Sequence, residues 1–111
     1  MKTSRFALVL IVLAALALTA CAPKVSQKIV FGSDATFPPM EFVDAQKNVV
    51  GFDVDIINAV AKAGGFQAEV KNTAWDGIFA GLTAGDYDAV LSSVTITDER
   101  KGTMDFSTPY V

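Results

Sequence analysis

Histidine is absent from this 111-residue chain, and cysteine and tryptophan occur once each, as Cys21 and Trp75. Without histidine, and with a single thiol, the side chains that usually bind zinc and other transition metals are missing, as is the commonest general base. One cysteine also excludes an intramolecular disulfide. Nine basic residues stand against twelve acidic ones, a balance that argues against nucleic acid as a partner and against a polybasic grip on membrane lipid. Arginine is scarce as well: Arg5 and Arg100 are the only two.

The long apolar run lies at the front. "MKTSRFALVLIVLAALALTAC" sets Lys2 and Arg5 before an unbroken apolar stretch from Phe6 to Leu18 and ends on small residues, the three-part plan of a secretory signal. That run is short for a membrane span. "LTAC", ending at Cys21, matches the bacterial lipobox, in which the cysteine becomes the first residue of the mature protein. Acylation would account for a lone exported thiol, and diacylglycerol plus an amide-linked chain would anchor it stably. Ala22 follows, so no aspartate is present there to direct inner-membrane retention in a diderm cell. Removal of residues 1–20 leaves 91 residues with a net charge of −5, enough for one small domain.

Residues 21–27 lack a sustained period and read as a tether from lipid to domain. "KIVFGSD" contains a brief strand, Ile29 to Phe31, stopped by Gly32. Pro38 and Pro39 exclude helix in the next stretch, and "DAQKN" reads as a turn between two short extended pieces. "GFDVDIINAVAKAGG" predicts a helix with Asp53 capping its first turn, Asp55 adding favourable charge there, and Ile56, Ile57, Val60 and Ala63 on the inward face. Gly64 and Gly65 supply its left-handed exit. "FQAEVKN" alternates as a strand does. A second helix is expected from Trp75 or Asp76 to Gly85, with Ile78, Phe79 and Leu82 inward. Gly77 and Gly81 each cost it about 1 kcal/mol in propensity, which makes sense if another backbone lies close. "YDAVLSSV" is more continuously apolar and is expected to be a central strand.

Strands alternating with helices favour an open α/β sheet with parallel strands and right-handed crossovers. Ligands of such sheets sit beyond the carboxyl ends of the strands. "GSDATF", "KNTAWDG" and "LSSVTIT" all fall there, so three loops should converge on one rim.

In their order and spacing, "SDATFPPMEF", "GFDVDIINAVAKAGG", "WDGIFAGL" and "DAVLSSVTITDERK" followed by "MDFSTPY" resemble the family 3 extracellular solute-binding proteins, the polar amino-acid receptors of ABC importers. The resemblance covers nearly all of residues 28–111. It implies an α/β, periplasmic-binding-protein-like lobe with an open, mostly parallel sheet flanked by helices. It also implies an incomplete site: residues 28–111 would be the first part of lobe 1, ending at the hinge, without the second lobe or the returning segment.

A planar guanidinium suits a bidentate carboxylate, and the resemblance assigns Arg100 to the carboxylate of an amino acid. Thr95 would offer its N–H to that carboxylate and its hydroxyl to the ammonium, and Ser93 its carbonyl to the ammonium, from the same side of a strand. Ser92 is a further candidate. Phe37 and Trp75 match positions whose rings enclose the ligand side chain, and Asp34 one that meets a polar side chain in some relatives. Thr97 reads as the cap of the "DERK" turn, Asp53 and Asp55 as belonging to a helix start, and Asp76, Asp86 and Asp88 as solvated. The implied protein uses no cofactor and performs no chemistry. It is a monomer outside the cytoplasmic membrane, held by lipid on Cys21, passing a free amino acid to permease subunits. Lytic transglycosylases, some dehydratases and sensor proteins use the same domain and are the alternative reading.

Overall fold

The computed structural model describes residues 26–111; the signal segment, Cys21 and most of the tether lie outside them. The central strand is β1 (Lys28–Ser33), and its burial deepens toward its carboxyl end. On one side it pairs in parallel with β5 (Gln67–Asn72), from Lys28 opposite Gln67 to Ser33 opposite Asn72. On the other it pairs in parallel with β6 (Ala89–Val90), Phe31 opposite Ala89 and Gly32 opposite Val90. The sheet order is therefore β5-β1-β6 among the described residues. The expectation that the "YDAVLSSV" strand is central is corrected for the described residues: among them β1 has neighbours on both sides, and β6 has one. Continuous apolar character there reflects packing of Tyr87 and Leu91, while the chain leaves the ladder after Val90.

Between β1 and the first helix, three short strands form a second, antiparallel sheet: β2 (Thr36–Phe37), β3 (Glu41–Val43) and β4 (Val49–Val50). The two extended pieces flanking "DAQKN" are β3 and β4, with Asn48 bonded back to Asp44 at the turn; β2 is the piece that periodicity missed. Helix α1 (Phe52–Gly64) follows Gly51, whose φ of 129° and closeness to the Met40 carbonyl leave no room for a Cβ. It ends at Gly65 in the left-handed region, with the cap N–H bonded to the Ala61 carbonyl. Its buried residues are Asp53, Ile57 and Ala61, four apart, while Val60 is half-exposed. The inward stripe is thus rotated from the one expected, because an acid occupies a core-facing position. Asp53 makes no cap hydrogen bond.

Helix α2 (Ile78–Ala84) links β5 to β6 and ends at Gly85, also left-handed. Phe31, Ile57 and Leu91 form the buried core, with Ile29, Phe66, Ala68, Val70 and Ala89 packed against it. What approaches Gly81 is the ring of Tyr87 and not a backbone. That ring is buried and also covers Gly32, and its hydroxyl donates to the Ile78 carbonyl. The start of the fold reaches into the expected tether: Gln67 N–H donates to the Gln27 carbonyl and Ser26 Oγ to that of Gly65. A Cβ on Gly32 would come within 2.7 Å of the Tyr87 ring. Gly32→Ala should therefore destabilise the chain by about 1–3 kcal/mol through overpacking, read as a lower midpoint in urea unfolding; an unchanged midpoint would contradict the packing described.

Candidate functional site

The parallel strands deliver their carboxyl ends to one rim, and short bonds tie the loops there. Thr73 N–H donates to the Ser33 carbonyl, Leu91 N–H to that of Gly32, and Ala35 N–H to Asn72 Oδ1. Above this rim lies a cleft of about 300 Å³ lined by Asp34, Thr36, Phe37, Glu41, Trp75, Ser92, Ser93, Thr95 and Arg100. The seven ligand candidates Asp34, Phe37, Trp75, Ser92, Ser93, Thr95 and Arg100 all stand on its wall. Thr36 and Glu41 complete it.

Arg100 is carried by α3 (Asp98–Lys101), a single turn whose N-cap Thr97 accepts the Arg100 N–H through its side chain. The guanidinium donates from Nη1 to the Thr95 carbonyl at 2.6 Å. It lies 5.7 Å from the Trp75 ring centroid and 5.3 Å from that of Phe79, positions in which the ring faces attract a cation. The Trp75 and Phe79 rings meet edge to face at 5.4 Å. One bond and two rings orient the fork while part of its donor set stays free. Phe37 and Trp75 remain 59 % and 39 % exposed, unusual for rings of this size unless something covers them.

Asp34 is a tie before it is a contact. Its Oδ1 accepts from Thr36 Oγ at 2.8 Å and its Oδ2 from Trp75 N–H at 3.1 Å, while its own N–H donates to Ser92 Oγ at 3.0 Å. It binds the ends of all three sheet strands to one another. Asp88, expected to be solvated, keeps solvent contact but also accepts the Val30 N–H.

Below the cleft lies the feature that sequence reasoning missed. Glu41 is 1 % exposed and Asp53 fully buried. Ser92 Oγ donates to Glu41 Oε1 at 2.9 Å. Ser93 places its N–H 2.7 Å from Asp53 Oδ2, and its hydroxyl 3.1 Å from the same oxygen and 3.4 Å from Glu41 Oε2. Asp53 Oδ1 has no donor among the described residues. Neither acid forms an ion pair among the described residues. Ser93 reaches both carboxylates because its φ is +45°, so the expected strand alternation of Ser93 with Thr95 does not hold. Asp53, assigned from sequence to the helix start, does stand in the first turn but serves this cluster. The available signal was "PPMEF", a lone acid between apolar neighbours.

Burial is the main force pushing Glu41 from an ordinary 4.5 up to about 7, with the charge of Asp53 adding to it and the Ser92 and Ser93 hydroxyls opposing. Desolvation likewise pushes the Tyr110 phenol up, with Asp53 contributing.

The family described as bacterial extracellular solute-binding proteins, family 3, matches residues 29–111. A protein of Neisseria gonorrhoeae described as a "Probable histidine-binding protein" is 50 % identical over 106 residues, covering 86 % of this chain and 40 % of its own length. The "ABC transporter arginine-binding protein 1" of Escherichia coli is 40 % identical over 85 residues, covering 77 % and 35 %. Among solved structures, the arginine-bound form of domain 1 from TmArgBP superposes with a TM-score of 0.70 at 40 % identity, covering 75 % of this chain and 66 % of that one. The chain therefore spans about 40 % or less of the length of these curated relatives.

The raised Glu41 gives a signed expectation for stability. Between 4.5 and about 7, the folded chain keeps a proton that the unfolded chain has released, so stability is full below that window and falls as pH rises through it. The loss is on the order of 3 kcal/mol at most. Urea unfolding on either side of the window should show it, and Glu41→Gln should flatten it; an equal slope in the variant would refute the assignment.

Proposed function

We propose a function from one premise: the chain belongs to the bacterial extracellular solute-binding proteins, family 3. The function is capture of a free amino acid outside the cytoplasmic membrane, for delivery to the permease subunits of an ABC importer. Arg100 takes the ligand carboxylate, with the Thr95 N–H beside it. The Thr95 hydroxyl and the Ser93 carbonyl take the ammonium. Phe37 and Trp75 enclose the side chain, and Ser92 holds the floor. The observation that carries this reading is the guanidinium of Arg100 held against two aromatic rings in the same cleft as the Ser92–Thr95 segment.

A basic side chain fits this lining best, since Asp34 and Glu41 share the wall with one arginine. Among the relatives, the arginine-bound single domain of TmArgBP gives precedent for a ligand held by one lobe. A signal ending at Ala20 and acylation of Cys21 complete the proposal. They place the protein at the membrane, facing the periplasm or the exterior.

In a thermal-shift panel of the common amino acids, basic ones should raise the midpoint most, since a ligand bound only by the folded state stabilises it. Arg100→Ala should weaken binding about 10- to 100-fold, the worth of a charge-assisted hydrogen bond. Full affinity in that variant would overturn the carboxylate assignment. Mass spectrometry of the mature amino terminus should find acyl chains on Cys21; a free thiol there would overturn the anchor.

A further inference from the structure

Amino-acid capture leaves the buried acid pair unexplained. Glu41 and Asp53 bring four carboxyl oxygens into one buried space, and neither acid is in an ion pair among the described residues. The donors bonded to them are the Ser92 hydroxyl, the Ser93 hydroxyl and the Ser93 N–H. Ser93 Oγ lies within reach of both acids but has one proton to give. Burial, with the charge of Asp53 adding to it, disfavours the ionised form of Glu41, which therefore retains its proton beyond the ordinary carboxylate range.

We propose that Glu41, joined to Asp53 through the Ser93 hydroxyl, holds one exchangeable proton beneath the cleft, and that a basic amino acid entering the cleft displaces it into solvent. This rests on the reading above that the cleft takes an amino acid. The bond that breaks is a carboxylic O–H. Its proton goes to water or buffer, and the ligand's positive charge takes over the balancing of the pair. Contact is not required, since an opposite charge within about 4–6 Å already favours the ionised acid.

The groups facing Glu41 from the surrounding elements fit such an exchange. Asp53 of α1 opposes ionisation, and Ser92 and Ser93 after β6 favour it. Tyr110 approaches from the carboxyl-terminal segment as a neutral phenol. Across the cleft stand Asp34, with both oxygens already accepting, and Arg100, turned to Thr95 and the rings. The pair also communicates with the wall. Glu41 Oε1 accepts a hydrogen bond from the Ser92 hydroxyl, Ser92 Oγ in turn accepts from Asp34 N–H, and Asp34 Oδ2 accepts from Trp75 N–H. A neutral amino acid brings no net charge and displaces no proton.

Titration calorimetry of the purified chain, just below neutrality and in phosphate and Tris buffers, tests this. L-arginine should release up to one proton, seen as a buffer-dependent heat. Its affinity should rise with pH by up to about tenfold per unit through the window in which the pair titrates. L-glutamine should show neither effect. Glu41→Gln should abolish the release and the pH slope, and Asp53→Asn, which leaves Glu41 buried, should reduce both without abolishing them. Arginine binding with buffer-independent heat and flat pH dependence overturns this inference alone. A Glu41 carboxyl ¹³C resonance that titrates in the ordinary carboxylate range without ligand also overturns it. Failure of every amino acid to bind overturns both this inference and the reading it rests on.

Discussion

Two buried acids, Glu41 and Asp53, hold the Ser92–Ser93 turn, and the cleft depends on that hold. Ser93 sits at a φ of +45°, a region that costs a non-glycine residue energy and needs surrounding structure to enforce it. The enforcement is visible: Asp53 fixes the Ser93 N–H and Glu41 fixes the Ser92 hydroxyl. One acid comes from α1 and the other from β3. The end of the parallel sheet is thereby joined to the small antiparallel sheet and to the first helix. Without those acids the segment from Leu91 to Thr97, which belongs to no strand, would have little to set its path.

The sheet supplies the other half of the architecture. Parallel pairing on both sides of β1 sends three carboxyl ends the same way, so the loops meet without any one of them being long. Gly32, at the approach to that rim, yields its side-chain space to Tyr87, which lets α2 lie close against the sheet. That closeness brings Phe79 of α2 beneath the Arg100 guanidinium. A packing decision in the core and the aim of a surface charge are thus parts of one arrangement.

Much of this was legible in sequence, and the limits have a physical cause. A strand around Ile29–Phe31, two helices and their glycine exits followed from local signals, because period, breakers and left-handed turns are properties of neighbouring residues. The strand nevertheless runs through Gly32 to Ser33, and the second helix begins only at Ile78 and not at Trp75 or Asp76. The candidates along the rim followed from strand ends and from motif resemblance. Glu41 and Asp53 did not, since their partners Ser92 and Ser93 lie 51, 40 and 52 residues away. An acid inside an apolar pattern looks like a surface residue until its donors are known, and Asp53 was read as a cap because a first-turn aspartate usually is one. The rotated stripe of α1 has the same origin. Choosing apolar residues for the inward face necessarily passed over the one acid that the core was built to receive.

The charged and aromatic parts of the cleft make sense only together. A free guanidinium at a protein surface would ordinarily spread into water, yet Arg100 is held by the Thr95 carbonyl and stands against two rings. Its orientation is set before any ligand arrives, which lowers the ordering cost of binding. The exposed faces of Phe37 and Trp75 bear the opposite cost, apolar area left in water until something covers it. The ligand proposed above, with an acid end and an extended side chain, would answer both at once, the first meeting an oriented fork and the second drying two rings.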